Sequence, residues 1–246
     1  MAWCWFNATE SKPHNVSVHF ITAPKNQKFL LYLSMLNDLK YELHNVLSGK
    51  SEIRIGTIIQ TIACYLNDGE KSSTIAESEK QLKKQETKKL EDYIIKNNLW
   101  IDNIDFSQYV SEGAEQKVYL KDSEHVLKLN DAIYYNSWKD YLYNLLLHNY
   151  FFSDTAYDLL GFTKNDDVLY AVVQQNYVTI TSSTDLSKVK EFLTLNGFEN
   201  NRNNDYIHPE LGIILEDLHD ENVLTQNEIL YFIDTVFYLT EKFWAK

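Results

Sequence analysis

Hydrophobic periodicity changes once along this chain, near Trp100, and that change limits the folds open to it. Upstream, apolar residues recur at helical spacing. From Gln27 to Leu47 the positions Leu30, Leu33, Leu36, Leu39, Leu43 and Leu47 predict a helix, with Gly49 where a carboxyl cap belongs. Ile58, Ile59, Ile62 and Leu66 predict a second helix ending near Gly69, so the two read as an antiparallel helical hairpin followed by a turn at Glu70 to Ser73. Thr74 to Asn97 reads as a long polar helix with a thin apolar stripe of Ile75, Leu82, Leu90, Tyr93 and Ile94, its Lys and Glu run forming a solvated face. Three such stripes cannot all be buried within one three-helix unit, so these helices are expected to pack on the part of the chain beyond Trp100. Ahead of them, Val16, Val18 and Phe20 alternate within Asn15 to Ile21 as in a short strand.

Downstream, the runs are short and extended. Val118 to Leu120 and Val126 to Leu129 flank Lys121-Asp122-Ser123-Glu124 as two hairpin strands. Ser137 to Phe151 returns to helical spacing. Leu159 to Phe162 and Leu169 to Val178 form another hairpin across Lys164-Asn165-Asp166-Asp167, Lys188 to Leu195 is a short helix ended at Gly197, and β runs at Gly212 to Leu215 and Ile229 to Ile233 bracket a polar loop. From Phe106 the order is β-β-helix-β-β-helix-β-loop-β. The chain therefore reads as α+β, with a mainly helical amino-terminal segment over residues 1–104 and a second domain over 105–246.

Composition removes several functions. With 35 acidic against 23 basic residues and a net charge of −12, the surface repels polyanions, so nucleic acid is not an expected partner. Cys4 and Cys64 stand in no metal-ligand or redox spacing, which points to a reducing, cytoplasmic setting. No apolar run approaches the ~20 residues of a membrane span, and the apolar start is too short for a signal segment. Neither zinc, haem nor a membrane is expected.

What remains is a constellation suited to phosphoryl transfer, a reaction that asks a protein mainly for positioning and charge neutralisation. Asp217 and Asn222 stand five apart with Leu218 between them, the spacing of a catalytic loop D-L-x-x-x-N. Read that way, Asp217 is the base or orienting carboxylate and Asn222 a magnesium ligand; the plainer reading is a polar turn satisfying its own backbone. Twelve residues on, Asp234 follows Ile229, Leu230, Phe232 and Ile233, placed either to deliver a metal-binding carboxylate or merely to turn the chain. Lys128 sits within Val126-Leu127-Lys128-Leu129 on the face opposite Leu127 and Leu129, either to meet phosphates or to snorkel into solvent. Gly113 opens the first hairpin, where a glycine lets the backbone approach phosphate oxygens.

Taken together, Glu112 to Tyr119, the Lys128 strand, His148-Asn149, Gly161-Phe162, Gln174 to Val178, Glu216 to Leu224 and Phe232-Ile233-Asp234 resemble the kinase domain of polyvalent proteins, multidomain proteins of phages and mobile elements. The resemblance runs from about Asp105 to Leu239. It implies a reduced protein-kinase-like fold whose β hairpins and helix form a nucleotide cleft, with ATP and Mg2+ as cofactors. It further implies Lys128 on the ATP phosphates, Gly113 and Gln175 as further nucleotide contacts, Asp217 as catalytic carboxylate, and Asn222 with Asp234 on magnesium. Asp217-Leu218-His219 is also similar to the D-L-H of small-molecule kinases, so the substrate is a protein or a small hydroxyl compound.

The departures point the other way. Leu215 and Glu216 precede the catalytic Asp where His-Arg or His-Gly is usual, and Thr235 replaces the Phe after the metal-binding Asp. No acid between Lys128 and Phe151 stands where the helix Glu that pairs with the Lys belongs; Asn149 lies on the apolar line instead and reads as a satisfied buried amide. Only twelve residues follow Asp234, so the peptide-docking helical lobe has no counterpart in this sequence. The alternative is a catalytically silent kinase-like domain that binds nucleotide or a protein partner.

Overall fold

The structure, a computed structural model, describes residues 25–50, 57–67, 79–113 and 115–245. The expected strand at Asn15 to Ile21, the turn at Glu70 to Ser73, Gly69 and the start of the third helix lie outside the described residues. Three helices come first: α1 (Lys25–Leu47), α2 (Thr57–Asn67) and α3 (Glu79–Asn97). Gly49 takes a left-handed φ of 69° just past α1, as a carboxyl cap requires.

A five-stranded antiparallel sheet comes next, in the order β1-β2-β3-β5-β4, from β1 (Tyr109–Glu112), β2 (Gln116–Leu120), β3 (His125–Asn130), β4 (Asp158–Asn165) and β5 (Val168–Asn176). The helix α4 (Trp138–Phe151) lies between β3 and β4 in the chain, its first turn capped by Ser137. After α5 (Leu186–Leu195) come β6 (Glu199–Arg202), β7 (Asp205–His208), β8 (Ile213–Glu216), β9 (Val223–Gln226), β10 (Ile229–Phe232), β11 (Val236–Leu239) and the short α6 (Glu241–Trp244). These strands form a four-stranded sheet, β11-β8-β7-β6, and the separate hairpin β9-β10.

The mixed helix and antiparallel-sheet class is as expected, but the strand order gains β1, β6, β7, β9 and β11. For β1 and β6 the physical reason is burial. All four residues of β1 and all four of β6 are exposed, so neither shows the alternation that marks a half-buried strand. Lys164 and Asn165 belong to β4 and not to the turn. Asp166 and Asp167, at φ 49° and 61°, make a two-residue turn with both residues left-handed, and Asn227 with Glu228 closes β9-β10 the same way.

One hydrophobic core spans the change at Trp100. Trp138, Tyr141, Leu142, Leu145 and Leu146 of α4 are buried together with Leu43 and Leu47 of α1, Ile59 and Ile62 of α2, Leu90 and Ile94 of α3, Phe162 of β4 and Phe237 of β11. Each such aliphatic side chain contributes about 1.5–3 kcal/mol on burial. The polar face of α3 is not simply solvated. Lys83 donates to the carbonyls of Ala132 and Tyr135, Lys89 donates to those of Tyr65 and Leu66, and Glu86 accepts the amides of Trp138 and Lys139 at the start of α4. Much of what reads as a solvated charge run is therefore tying three helices and a loop together.

Candidate active site

Asp217 follows β8 directly and takes a left-handed φ of 64°, a conformation that Asp tolerates better than most side chains. Its amide donates to Asp205 Oδ1 at 3.2 Å, which holds the strained residue at the strand end. Leu218, 1% exposed, anchors the loop in the core, so the polar residues on either side are displayed from a fixed point. Asn222 Nδ2 then donates to both the carbonyl and Oδ2 of Asp217, each at 2.8 Å, and His219 Nε2 lies 3.3 Å from Asp217 Oδ1. Because the amide nitrogen faces Asp217, the amide oxygen of Asn222 is directed away from it.

Asn222 also reaches the second half of the site. Its backbone carbonyl accepts the amides of Ile233 at 2.9 Å and Asp234 at 3.3 Å, just beyond β10. Asp234 stands in the link between β10 and β11, and its Oδ2 accepts a hydrogen bond from Gln116 of β2. Of β10 only Phe232 is buried, so Asp234 follows a partly exposed hairpin strand. A single residue thus clasps the candidate base through its side chain and the candidate metal carboxylate through its backbone.

Lys128 enters from the opposite side. It is 3% exposed, so the snorkelling alternative is out; its Nζ donates to the Ile233 carbonyl at 2.7 Å and stands 5.3 Å from the centre of the Tyr157 ring. Burial lowers its pKa, and the nearby charge of Asp234 partly opposes that shift. Among the described residues Lys128 forms no ion pair with a carboxylate. Asn149, which stands on α4 where an acid partner was sought, is committed elsewhere: it donates to the Tyr157 carbonyl at 2.8 Å and accepts the Tyr157 amide at 2.6 Å.

Gly113 lies at the tip of the β1-β2 hairpin, its amide donating to the Gln116 carbonyl at 3.0 Å, and a Cβ placed on it would meet nothing within 4 Å. Gln175 is placed differently from the other candidates. Its side chain is 2% exposed and donates to the Thr155 carbonyl at 2.6 Å, inside the protein, so only its backbone on β5 is left for a ligand.

Sequence reasoning passed over Glu115, one residue before β2. Tyr135 donates to its Oε2 at 3.4 Å, and its pKa is pushed up to about 7, first by burial and then by the negative charges of Asp234 and Asp217. Both aspartates are thus close enough to Glu115 for their charges to act on it. The signal in the sequence was only the position of Glu115 two residues after Gly113. Among the described residues, no group of three or more His, Cys, Asp or Glu side chains is arranged to hold a metal ion alone.

A family model for the serine/threonine/tyrosine kinase found in polyvalent proteins matches residues 83–241, well over half of the chain and beginning within α3. No curated protein and no solved structure matches.

Proposed function

Because the chain belongs to the family of serine/threonine/tyrosine kinases found in polyvalent proteins, we propose that it is an ATP- and magnesium-dependent phosphotransferase acting on a hydroxyl of a protein or a small molecule. The observation that carries this reading is the double role of Asn222, which ties Asp217 to the Ile233-Asp234 link while Lys128 donates to the same link from the other side. The amide oxygen of Asn222 and the carboxylate of Asp234 are hard oxygen donors, and magnesium takes few of these from protein and the rest from phosphates and water. That donor set fits the ion, which when bound would neutralise charge on the transferring phosphate.

The residues then divide the work. Gly113 offers backbone at the hairpin tip, and the protein itself gives no reason for a glycine there. Lys128 has three protons, of which the Ile233 carbonyl takes one. Asp217 accepts the hydroxyl proton as the new oxygen–phosphorus bond forms and the bond to the leaving ADP oxygen breaks. Asn222 holds that carboxylate in place by hydrogen bonding and His219 stands beside it, neither with a covalent role. The setting consistent with two cysteines outside any metal or redox spacing is the cytoplasm; among the described residues no helix is long and apolar enough to cross a membrane.

One observation favours the silent-domain reading: Lys128 is buried against a carbonyl and an aromatic ring in place of a carboxylate. Calorimetry of ATP binding with and without magnesium, followed by transfer assays on protein and small hydroxyl acceptors, separates the two. Magnesium-dependent binding lost in Asp234→Asn, with turnover in the wild type, supports the phosphotransferase. Binding without hydrolysis or transfer supports the silent domain, and a folded protein that binds no ATP leaves neither nucleotide role.

A further inference from the structure

The chain around Asp234 is held by a closed circuit of buried side chains. Thr235 is 0% exposed and its Oγ1 lies 2.7 Å from Nδ1 of His148, itself 0% exposed. Nε2 of the same ring lies 2.9 Å from the Thr155 carbonyl. A carbonyl only accepts, so Nε2 carries the proton, Nδ1 is the acceptor, and the Thr235 hydroxyl is the donor. Burial keeps the ring neutral, with a pKa lowered to about 3. Thr155 closes the circuit, its hydroxyl donating to the Phe232 carbonyl at 2.5 Å. Between those two anchors, the Ile233 carbonyl accepts from Tyr157 at 2.9 Å and Lys128 at 2.7 Å, and beyond them Asn144 Oδ1 accepts the Phe237 amide at 2.8 Å.

We propose that Thr235 and His148 are a positioning pair that fixes Asp234 in its metal-binding place before any nucleotide arrives. This rests on the reading of Asp234 as a magnesium ligand. An aromatic residue at position 235 would hold the link by packing, which can repack; a hydroxyl bonded to a buried ring nitrogen specifies one backbone position, because leaving either group unpaired in the core is costly. Asp234 is thereby delivered to the cleft with no ordering step left for the ligand, in the way outer groups orient metal ligands. Neither residue touches substrate.

The test uses the full chain and ATP titrated at graded magnesium concentrations. Thr235→Val, which keeps the shape and loses the donor, should raise the magnesium needed for half-maximal ATP binding about tenfold, whereas Thr235→Ser should stay within about twofold of wild type. Thermal melting of each variant separates this from unfolding. Should Thr235→Val not fold, the 15N resonances of the His148 ring in wild-type protein decide: an Nε2-protonated ring with Nδ1 accepting supports the pair, and an Nδ1-protonated ring overturns it. Unchanged magnesium dependence in folded Thr235→Val, with that dependence lost in Asp234→Asn, overturns the positioning role alone. Wild-type ATP binding that ignores magnesium overturns it together with the reading beneath it.

Discussion

The two walls of the candidate site are built on opposite terms. Behind Asp234, the residues Lys128, His148, Asn149, Thr155, Tyr157, Gln175 and Thr235 are all sequestered, each bonded to backbone or to another member. In front, Asp217 and His219 stand on a loop at the surface, held by each other, by Asn222 and by one amide bond to Asp205. A buried polar frame tolerates no missing partner, whereas a surface loop whose bonds compete with water can lose one cheaply. The rear wall should therefore govern stability and the front loop should govern rate.

The largest effect expected from that contrast belongs to the front. Asp217→Asn should lower phosphoryl transfer by roughly 10²–10⁴ while melting and magnesium-dependent ATP binding stay near wild type. Steady-state transfer measured beside thermal denaturation checks it. A melting loss matching the loss of rate would show that Asp217 holds the loop up and would break the contrast.

At the rear the sign reverses. Lys128 is the exception within the frame: Lys128→Met removes a charge whose burial is unfavourable, keeps the volume and leaves the Ile233 carbonyl its bond from Tyr157, so the protein should be at least as stable as wild type while ATP binding falls by about tenfold or more. Lys128→Ala opens a cavity and should lie about 2–5 kcal/mol below Lys128→Met in chemical denaturation. Equal stabilities for the two would mean that the strand closes over the space.

That contrast was only half legible in the sequence. The order Lys128, Asp217, Asn222, Asp234 could be read from spacing, because the front loop is local and its chemistry lies within six residues. The rear wall could not: His148 meets Thr235 across 87 positions and Lys128 meets Ile233 across 105. Mid-strand, Lys128 has the pattern of an exposed lysine, and nothing nearby says that a carbonyl and a tyrosine ring wait for it. Gln175 was drawn in by resemblance, yet its amide turns inward to Thr155. The helices α1 and α2 were plain because their stripes are wide, while α3 concealed capping contacts in what looked like solvated charge. Strands β1 and β6 carry no buried residue and hence no periodic signal.

Acid separates the walls further. His148 and His208 have folded pKa values lowered to about 3 and about 4, mainly by burial, against about 6.5 in an unfolded chain. The unfolded state therefore binds more protons over that window, and their stability contribution, full above pH 6.5, is lost as pH falls toward 4. Each should cost on the order of 1–2 kcal/mol between pH 6.5 and 5, seen as a falling melting temperature.

Glu115, at the front, works in the opposite sense and gives the smallest effect. Its folded pKa of about 7 lies above the unfolded 4.5, so its contribution is full below pH 4.5 and fades as pH rises through 7. Glu115→Gln should consequently steepen the rise in melting temperature from pH 5 to 7, since the opposing group is gone. Glu115 stands two residues from Gly113, the backbone proposed to meet the phosphates. Ionised, it repels them; protonated, it does not. The ratio of ATP affinities, Glu115→Gln over wild type, should therefore be near one at pH 6 and rise a few-fold by pH 8, an effect reduced by salt because Glu115 is only half-buried. Calorimetry at both pH values measures that ratio directly. A ratio that falls below one as pH rises would make ionised Glu115 a favourable contact to bound magnesium, and would shift part of the metal site from the rear link to the hairpin above it.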